Sequence, residues 1–236
     1  TGNELDFDKE MYITMNTGKD FIKPTENQLD TIDRLFKQIL PNEDVRDCYL
    51  SLMFSALTGI RLEKFIIANG SGRNGKGLIN ELLQNLMGNY SYKLPKQVLS
   101  EKVNMMGACP QIANMNNKRF IITSEPEEGR ELQMDTIKQL TGDDTLNARG
   151  LYQKDCRVNL NMTLLLEANL KPNINGRIDN SVMSRIVDIA FVNHFTDDDN
   201  LVDEKNGIYK ADLSYKQDVF KDNHYSALFM YILQKA

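Results

Sequence analysis

The sequence predicts an α/β fold in which a parallel sheet is covered by helices, and three observations carry that prediction. Apolar runs of strand length recur at residues 64–68 (KFIIA), 119–123 (RFIIT) and 163–168 (TLLLEA). Helical stretches separate these runs, and strands alternating with helices imply parallel pairing with both faces covered. Between the first run and the helix after it stands a glycine-rich loop, residues 70–77 (GSGRNGKG), in the strand, loop, helix order that phosphate-binding sheets use.

Taken in order, residues 1–24 are polar, with a short alternating stretch at 11–15 and a turn signal at 16–18, and read as a lead-in segment. Leu29, Ile32, Leu35, Phe36 and Ile39 then recur at spacings of three and four, the mark of an amphipathic helix that Pro41 ends. A second helix is expected over about residues 43–57, so that residues 1–58 form a lead-in and a helical hairpin ahead of a core at 59–196. Within the core a helix is expected from Lys76, another over residues 131–140, and a β-hairpin over 140–160 with a Gly-Asp turn and β-prone arms. Residues 197–204 (DDDNLVDE) carry five acids and no base and read as a solvated boundary loop; helical character returns from about Val219 to the end of the last segment, 197–236.

Composition excludes several classes of function. With 41% hydrophobic and 26% charged residues, the 236-residue chain is not disordered, and its length suits one sizeable core with a small helical appendage and not two large domains. Its longest apolar runs fall well short of the roughly 20 residues that span a bilayer. The net charge of −5 argues against a surface that coats nucleic acid throughout, so any such contact is local. Cys48, Cys109 and Cys156 are dispersed and stand at no zinc-ligand spacing from His194 or His224. They suit a reducing compartment, cytosol or nucleus, and not a secreted protein. The chain begins at Thr1 with no leader pattern, which reads as a piece of a longer protein.

The loop Gly70, Ser71, Gly72, Arg73, Asn74, Gly75, Lys76, Gly77 contains Gly-x-x-x-x-Gly-Lys in the frame of a phosphate-binding loop. Glycines let backbone N–H groups turn inward to phosphate oxygens, and Lys76 reaches the β- and γ-phosphates. An ordinary glycine turn can hold the same letters, but the strand before it and the helix after it argue against that. Gly77 departs from the general pattern, in which Ser or Thr offers a hydroxyl to Mg²⁺. Either a metal ligand is missing there, or the backbone needs a residue without a Cβ.

Glu125 follows the second apolar run, where nucleotide-binding sheets place their ligands, and can contact Mg²⁺ or orient water. Asn169 ends the third run and can hydrogen-bond a γ-phosphate; the plainer alternatives are a surface Glu and a helix or turn cap. Around the hairpin, Arg149, Lys154 and Arg157 face only Asp155, a basic finger that can hold a phosphate backbone.

This ordered set, GxxxNGK, an apolar strand ending in Glu, LTGDDTLNARGLY, an apolar strand ending in Asn, then SRIVDIAF, resembles the superfamily 3 helicases over about residues 10–195, including the lead-in YITMNTGKDF. More narrowly it is similar to the helicase half of the primase-helicases of large DNA viruses and of phage and plasmid replicons. The resemblance implies a P-loop NTPase of AAA+-like fold that uses ATP and Mg²⁺. It also implies a homo-hexameric ring around DNA with one strand in its channel, and an upstream primase domain. Such a protein works inside the host cell, in cytoplasm or nucleus. By position, Lys76 becomes the phosphate-binding lysine, Glu125 the catalytic acid and metal contact, and Asn169 the sensor. Lys154 becomes the hairpin contact in the channel and Arg185 the finger reaching a neighbour's nucleotide, with Arg177 as fallback. Ser124 stands where several members carry a second acid. The resemblance implies unwinding during DNA replication. Two alternatives stay open: a nucleotide-gated DNA-binding or scaffolding ring with little turnover, which Gly77 favours, and another P-loop ATPase such as a packaging motor, which the hairpin disfavours.

Overall fold

Thr25 opens the first helix, α1 (Glu26–Ile39), as a capping box, its hydroxyl accepting from the Gln28 N–H while its own N–H donates to Gln28 Oε1 at 2.9 Å. The computed structural model describes residues 14–101, 109–127, 129–142, 145–149, 155–176, 179–215, 217 and 224–236. Ile32, Leu35, Phe36 and Ile39 of α1 are buried, as the spacing predicts. Asn42 caps α2 (Glu43–Thr58), and Gly59, in the left-handed region, ends it. There follow β1 (Phe65–Asn69), α3 (Lys76–Met87), β2 (Ser91–Lys93), α4 (Gln97–Ser100), α5 (Pro110–Ala113) and β3 (Phe120–Ser124). Next come β4 (Leu132–Gln133), α6 (Met134–Gly142), β5 (Thr145–Arg149), β6 (Asp155–Asn159), β7 (Thr163–Ala168) and β8 (Ile174–Asn175). The remaining elements are α7 (Asn180–Met183), β9 (Ile186–Ala190), β10 (His194–Thr196), β11 (Ile208–Lys210) and α8 (His224–Lys235).

Five strands form one sheet in the order β2-β3-β7-β1-β9, and every neighbouring pair is parallel. The mixed α/β architecture expected from the sequence is present. Side chains alternate across it as the two-residue period of a strand requires. Ile66, Ala68, Phe120, Ile122 and Leu165 share one core with α1, α2, α3 and α8, while Phe65, Ile67, Ile121, Leu164 and Leu166 face a second core with α4, α5 and α6. Burying each such Ile, Leu or Phe contributes about 1.5–3 kcal/mol. Tyr231 of α8 donates to Asp33 of α1 at 3.1 Å, tying the last helix to the first.

Two expectations are corrected. The helix expected over residues 131–140 begins at Met134, because the Leu132 N–H donates to the Asn173 carbonyl and Leu132–Gln133 pairs with β8. The acidic run is mostly exposed, yet it is not merely a solvated loop: Asp197 pairs with Arg73 at 2.9 Å and Asp199 with Lys210 at 2.5 Å. The expected return of helical character near Val219 lies outside the described residues; Ser214, Tyr215 and Gln217 are helical, and α8 runs from His224. The expected hairpin arms are β5 and β6, antiparallel, with Arg149 in register with Asp155 and Asn147 with Arg157. Among the described residues no helix is long and apolar enough to cross a membrane.

Candidate active site

Parallel strands put equivalent ends on one edge, and at the carboxyl edge of β1, β7 and β3 stand the glycine-rich loop, Asn169 and Glu125 side by side. Two glycines of the loop are required by their surroundings. A Cβ on Gly70, at φ +149°, would collide with the Phe191 carbonyl; one on Gly75, at φ +81°, would lie 2.6 Å from the Ile39 side chain. Asn74 is buried and braces the turn, its Oδ1 accepting from the Lys76 N–H at 3.3 Å and its Nδ2 donating to the Phe191 carbonyl at 3.4 Å. Gly75 itself brings no capping side chain to α3, and Asn74 reaches only the N–H of Lys76 in its first turn, an arrangement that suits an anion. Ser71, Gly72 and Gly77 are exposed along the rim.

Lys76 is 8% exposed, and its ammonium donates to the Gly70 carbonyl at 2.8 Å and to Asn169 Oδ1 at 3.0 Å. Burial pulls its pKa below the ordinary lysine value, while the charges of Glu167 and then Glu125 push the other way. The Asn169 N–H donates to Glu125 Oε2 at 2.8 Å, and the Glu125 N–H donates to the Glu167 carbonyl at 2.8 Å. Lys76, Asn169 and Glu125, chosen from sequence, therefore form one connected set.

Sequence reasoning missed three further members. Asn80, fully buried on α3, donates to Glu167 Oε1 at 2.7 Å, and Tyr49 of α2 donates its hydroxyl to Asn80 Oδ1 at 2.5 Å. A signal was available: Glu167 is the one acid inside the apolar run TLLLEA, and Asn80 stands one helical turn after Lys76 on the buried side of α3.

Arg185 stands elsewhere. Its carbonyl accepts from the Phe65 N–H at 2.7 Å at the start of β1, the opposite edge of the sheet, about 15 Å from the loop at a rise of roughly 3.3 Å per residue. Its guanidinium donates to the Ser181 carbonyl at 3.0 Å and lies 3.6 Å from Glu63. The structure does not bring Arg185 to the Lys76 set within one chain. Arg157 is exposed on β6. Of Arg149 only the backbone is described, and Lys154 and Arg177 lie outside the described residues.

Among the described residues no three or more His, Cys, Asp or Glu cluster as a metal site. A Mg²⁺ ion here would take Glu125 plus phosphate oxygens and water, the usual sparse protein ligation of that ion. Gly77 has an ordinary φ, and a Cβ there would meet nothing within 4 Å, so the position has room for a hydrated ion and the reading that a Cβ is obstructed is overturned.

Residues 68–185, half of the chain, match a family described as being of unknown function, DUF5906. The chain belongs to DUF5906. This DUF5906 chain is 28% identical over 187 residues to a putative helicase of Acanthamoeba polyphaga mimivirus, covering 78% of this chain and 19% of the relative. It is 27% identical over 177 residues to primase D5 of fowlpox virus (strain NVSL), covering 73% of this chain and 22% of that protein. The chain thus spans about a fifth of the length of these curated relatives. The solved structure of the NrS-1 C-terminal region shares its fold with a TM-score of 0.60 at 14% identity, over 92% of this chain and 47% of that one. The resemblance drawn from the motifs is borne out by relatives named as a putative viral helicase and a poxvirus primase.

Proposed function

We propose that this chain is the ATPase core of a ring helicase that translocates on DNA and unwinds duplex during viral DNA replication. The observation that carries the reading is the connected set Lys76, Asn169 and Glu125 at the carboxyl edge of adjacent parallel strands. Lys76 exchanges the Gly70 carbonyl and the Asn169 amide for the β- and γ-phosphates of ATP. Asn169, released from Lys76, turns to the γ-phosphate. Glu125 accepts a hydrogen bond from the attacking water, whose oxygen bonds to the γ-phosphorus as the bond to the β–γ bridging oxygen breaks, giving ADP and phosphate. Mg²⁺, held by Glu125 and the phosphates, supplies neutralising charge when bound.

Arg185, on the far edge of the sheet, acts on the nucleotide of a neighbouring subunit, which is why the reading is a homo-hexameric ring. A single strand of DNA passes through its channel against Lys154, Arg149 and Arg157 of the hairpin, and an upstream primase domain completes the longer protein by analogy. Gly77 favours a second reading, a nucleotide-gated DNA-binding ring with little turnover. Phosphate release measured with and without single-stranded DNA separates the two: DNA-stimulated turnover is expected of the helicase, lost in Lys76→Ala, and lost with ATP binding retained in Glu125→Gln. Wild-type turnover in Lys76→Ala refutes both readings.

A further inference from the structure

Exposed apolar side chains gather at both ends of β9, the strand that edges the sheet. Before it, Ile60 and Leu62, in the link between α2 and β1, stand exposed with Met183 of α7, itself 62% exposed. After it come Val192, 69% exposed, and Leu201 within the acidic run. Apolar side chains scattered singly over a surface need no account, but a group beside concentrated charge marks a contact surface. The two groups carry opposite charge. Around the first, Arg61, Lys64 and Arg185 stand with Glu63 about a hollow of about 390 Å³. The Lys64 ammonium donates to the Ser184 carbonyl at 2.6 Å, which holds the link against the end of α7. The second group lies with the five acids of residues 197–204. Arg73 and Lys210 engage Asp197 and Asp199, while Asp198, Asp203 and Glu204 form no ion pair with a described residue.

We propose that the basic, apolar face at residues 60–64 and 183–185 docks head to tail on the acidic run 197–204 of a second copy of this chain. The inference deepens the ring reading above, on which it rests, by naming the two surfaces that meet. Charge decides the match: a positive patch set against a negative one steers encounter and fixes register, whereas like charges in contact cost several kcal/mol. A two-fold dimer would lay each face on its own like, cation on cation. The two faces stand at opposite ends of the five-residue strand β9, roughly 15 Å apart, so one chain cannot bring its own together and a second copy satisfies both. The acidic run is also fastened to the glycine-rich loop. The Phe195 N–H donates to the Arg73 carbonyl at 2.7 Å, the Arg73 guanidinium pairs with Asp197 at 2.9 Å, and Lys210 braces the run by donating to the Asp197 carbonyl at 2.8 Å. A copy seated on the run therefore brings the face that carries Arg185 up to that loop, so that docking and the contact of Arg185 in trans use one surface.

Native mass spectrometry and sedimentation velocity, with ATP present, test this on three proteins: the wild type, an Arg61→Glu, Lys64→Glu double variant, and an Asp203→Lys, Glu204→Lys double variant. Each variant alone sets like charges against each other and is expected to assemble at least about tenfold more weakly than the wild type. An equimolar mixture restores the opposition of charge at every contact, and is expected to recover assemblies in which the two variants alternate. Lys64→Glu alone, which gives up the single contact to Ser184, repeats the comparison should the double variant melt early. Recovery on mixing is the result that a merely misfolded variant does not give. Assembly of either double variant at wild-type strength overturns this interface and leaves the ring standing, as does a mixture of two weakened variants that stays apart. A wild type that remains monomeric with ATP at every concentration overturns the ring reading and this interface with it.

Discussion

Replacing Tyr49 with Phe removes a single oxygen, yet it reaches Glu167, beside the Lys76 set, through two hydrogen bonds. The Tyr49 side chain is 1% exposed, and its hydroxyl donates to Asn80 Oδ1 at 2.5 Å. Burial, and then the nearby charge of Glu167, hold that hydroxyl well above the usual tyrosine ionisation range, so it remains a donor at any working pH. Without it, the acceptor of a fully buried amide loses its partner in a place water does not reach, a loss of about 1–3 kcal/mol. At a middle value of about 2 kcal/mol, a chain of this size should melt about 4–8 °C lower. Paired with Asn80→Ala in a double-mutant cycle, the two changes should couple by about 1 kcal/mol, because they remove the same bond. The Asn80 amide is then free to turn from Glu167, so ATPase kcat should fall while KM changes little. Thermal and urea denaturation followed by circular dichroism provide the readout. A Tyr49→Phe protein with the wild-type midpoint in both, and no coupling to Asn80, refutes the assignment of this bond.

Gly77→Ser should restore the missing hydroxyl and lower the Mg²⁺ concentration for half-maximal ATPase, since a Cβ there meets open space; an unchanged or raised requirement defeats the missing-ligand reading. Arg185→Ala should leave nucleotide affinity nearly unchanged but suppress turnover in assembled rings. Mixing it with Lys76→Ala should restore some activity at interfaces that join an intact Lys76 to an intact Arg185, and no recovery in mixed rings confirmed by native mass spectrometry would count against a finger in trans. Glu167→Gln removes the larger of the two charges that raise the Lys76 pKa. Phosphate binding favours the charged lysine, so affinity is lost as pH rises through the pKa of the free protein. That alkaline loss should move to lower pH in the variant, and superimposable ATP affinity profiles from neutral pH upward would sink the argument.

Much of the sheet was legible because its strands are buried on both faces and so appear as uninterrupted apolar runs, as in KFIIA and RFIIT. The glycine-rich loop, Glu125 and Asn169 were legible because each sits immediately after such a run, and parallel pairing brings those ends together. What was hidden depends on distance in the chain. Tyr49 meets Asn80 and Asn80 meets Glu167 only because α2 and α3 pack on the same face of the sheet. Strands β2, β10 and β11 have three residues each, too short for any period to show. The start of α6 at Met134 is set by a partner, Asn173, that no local propensity reports. The separation of Arg185 from Lys76 follows from parallel pairing as well, since a residue before a strand and a residue after its neighbour fall on opposite edges.

The resting contacts of Lys76 have a consequence for the state of the protein before any nucleotide arrives. An isolated ammonium in this partly buried place would carry a desolvation cost that disfavours its charge. The Gly70 carbonyl and the Asn169 amide spare the fold that cost. These contacts close a circuit around the ammonium, and a ligand must offer Lys76 more than two neutral oxygens already do. A polyphosphate, with several anionic oxygens in reach at once, meets that threshold, whereas a neutral nucleoside has nothing to trade. On the proposed function, selection for the charged end of the ligand is thus built into the loop by the company its lysine keeps.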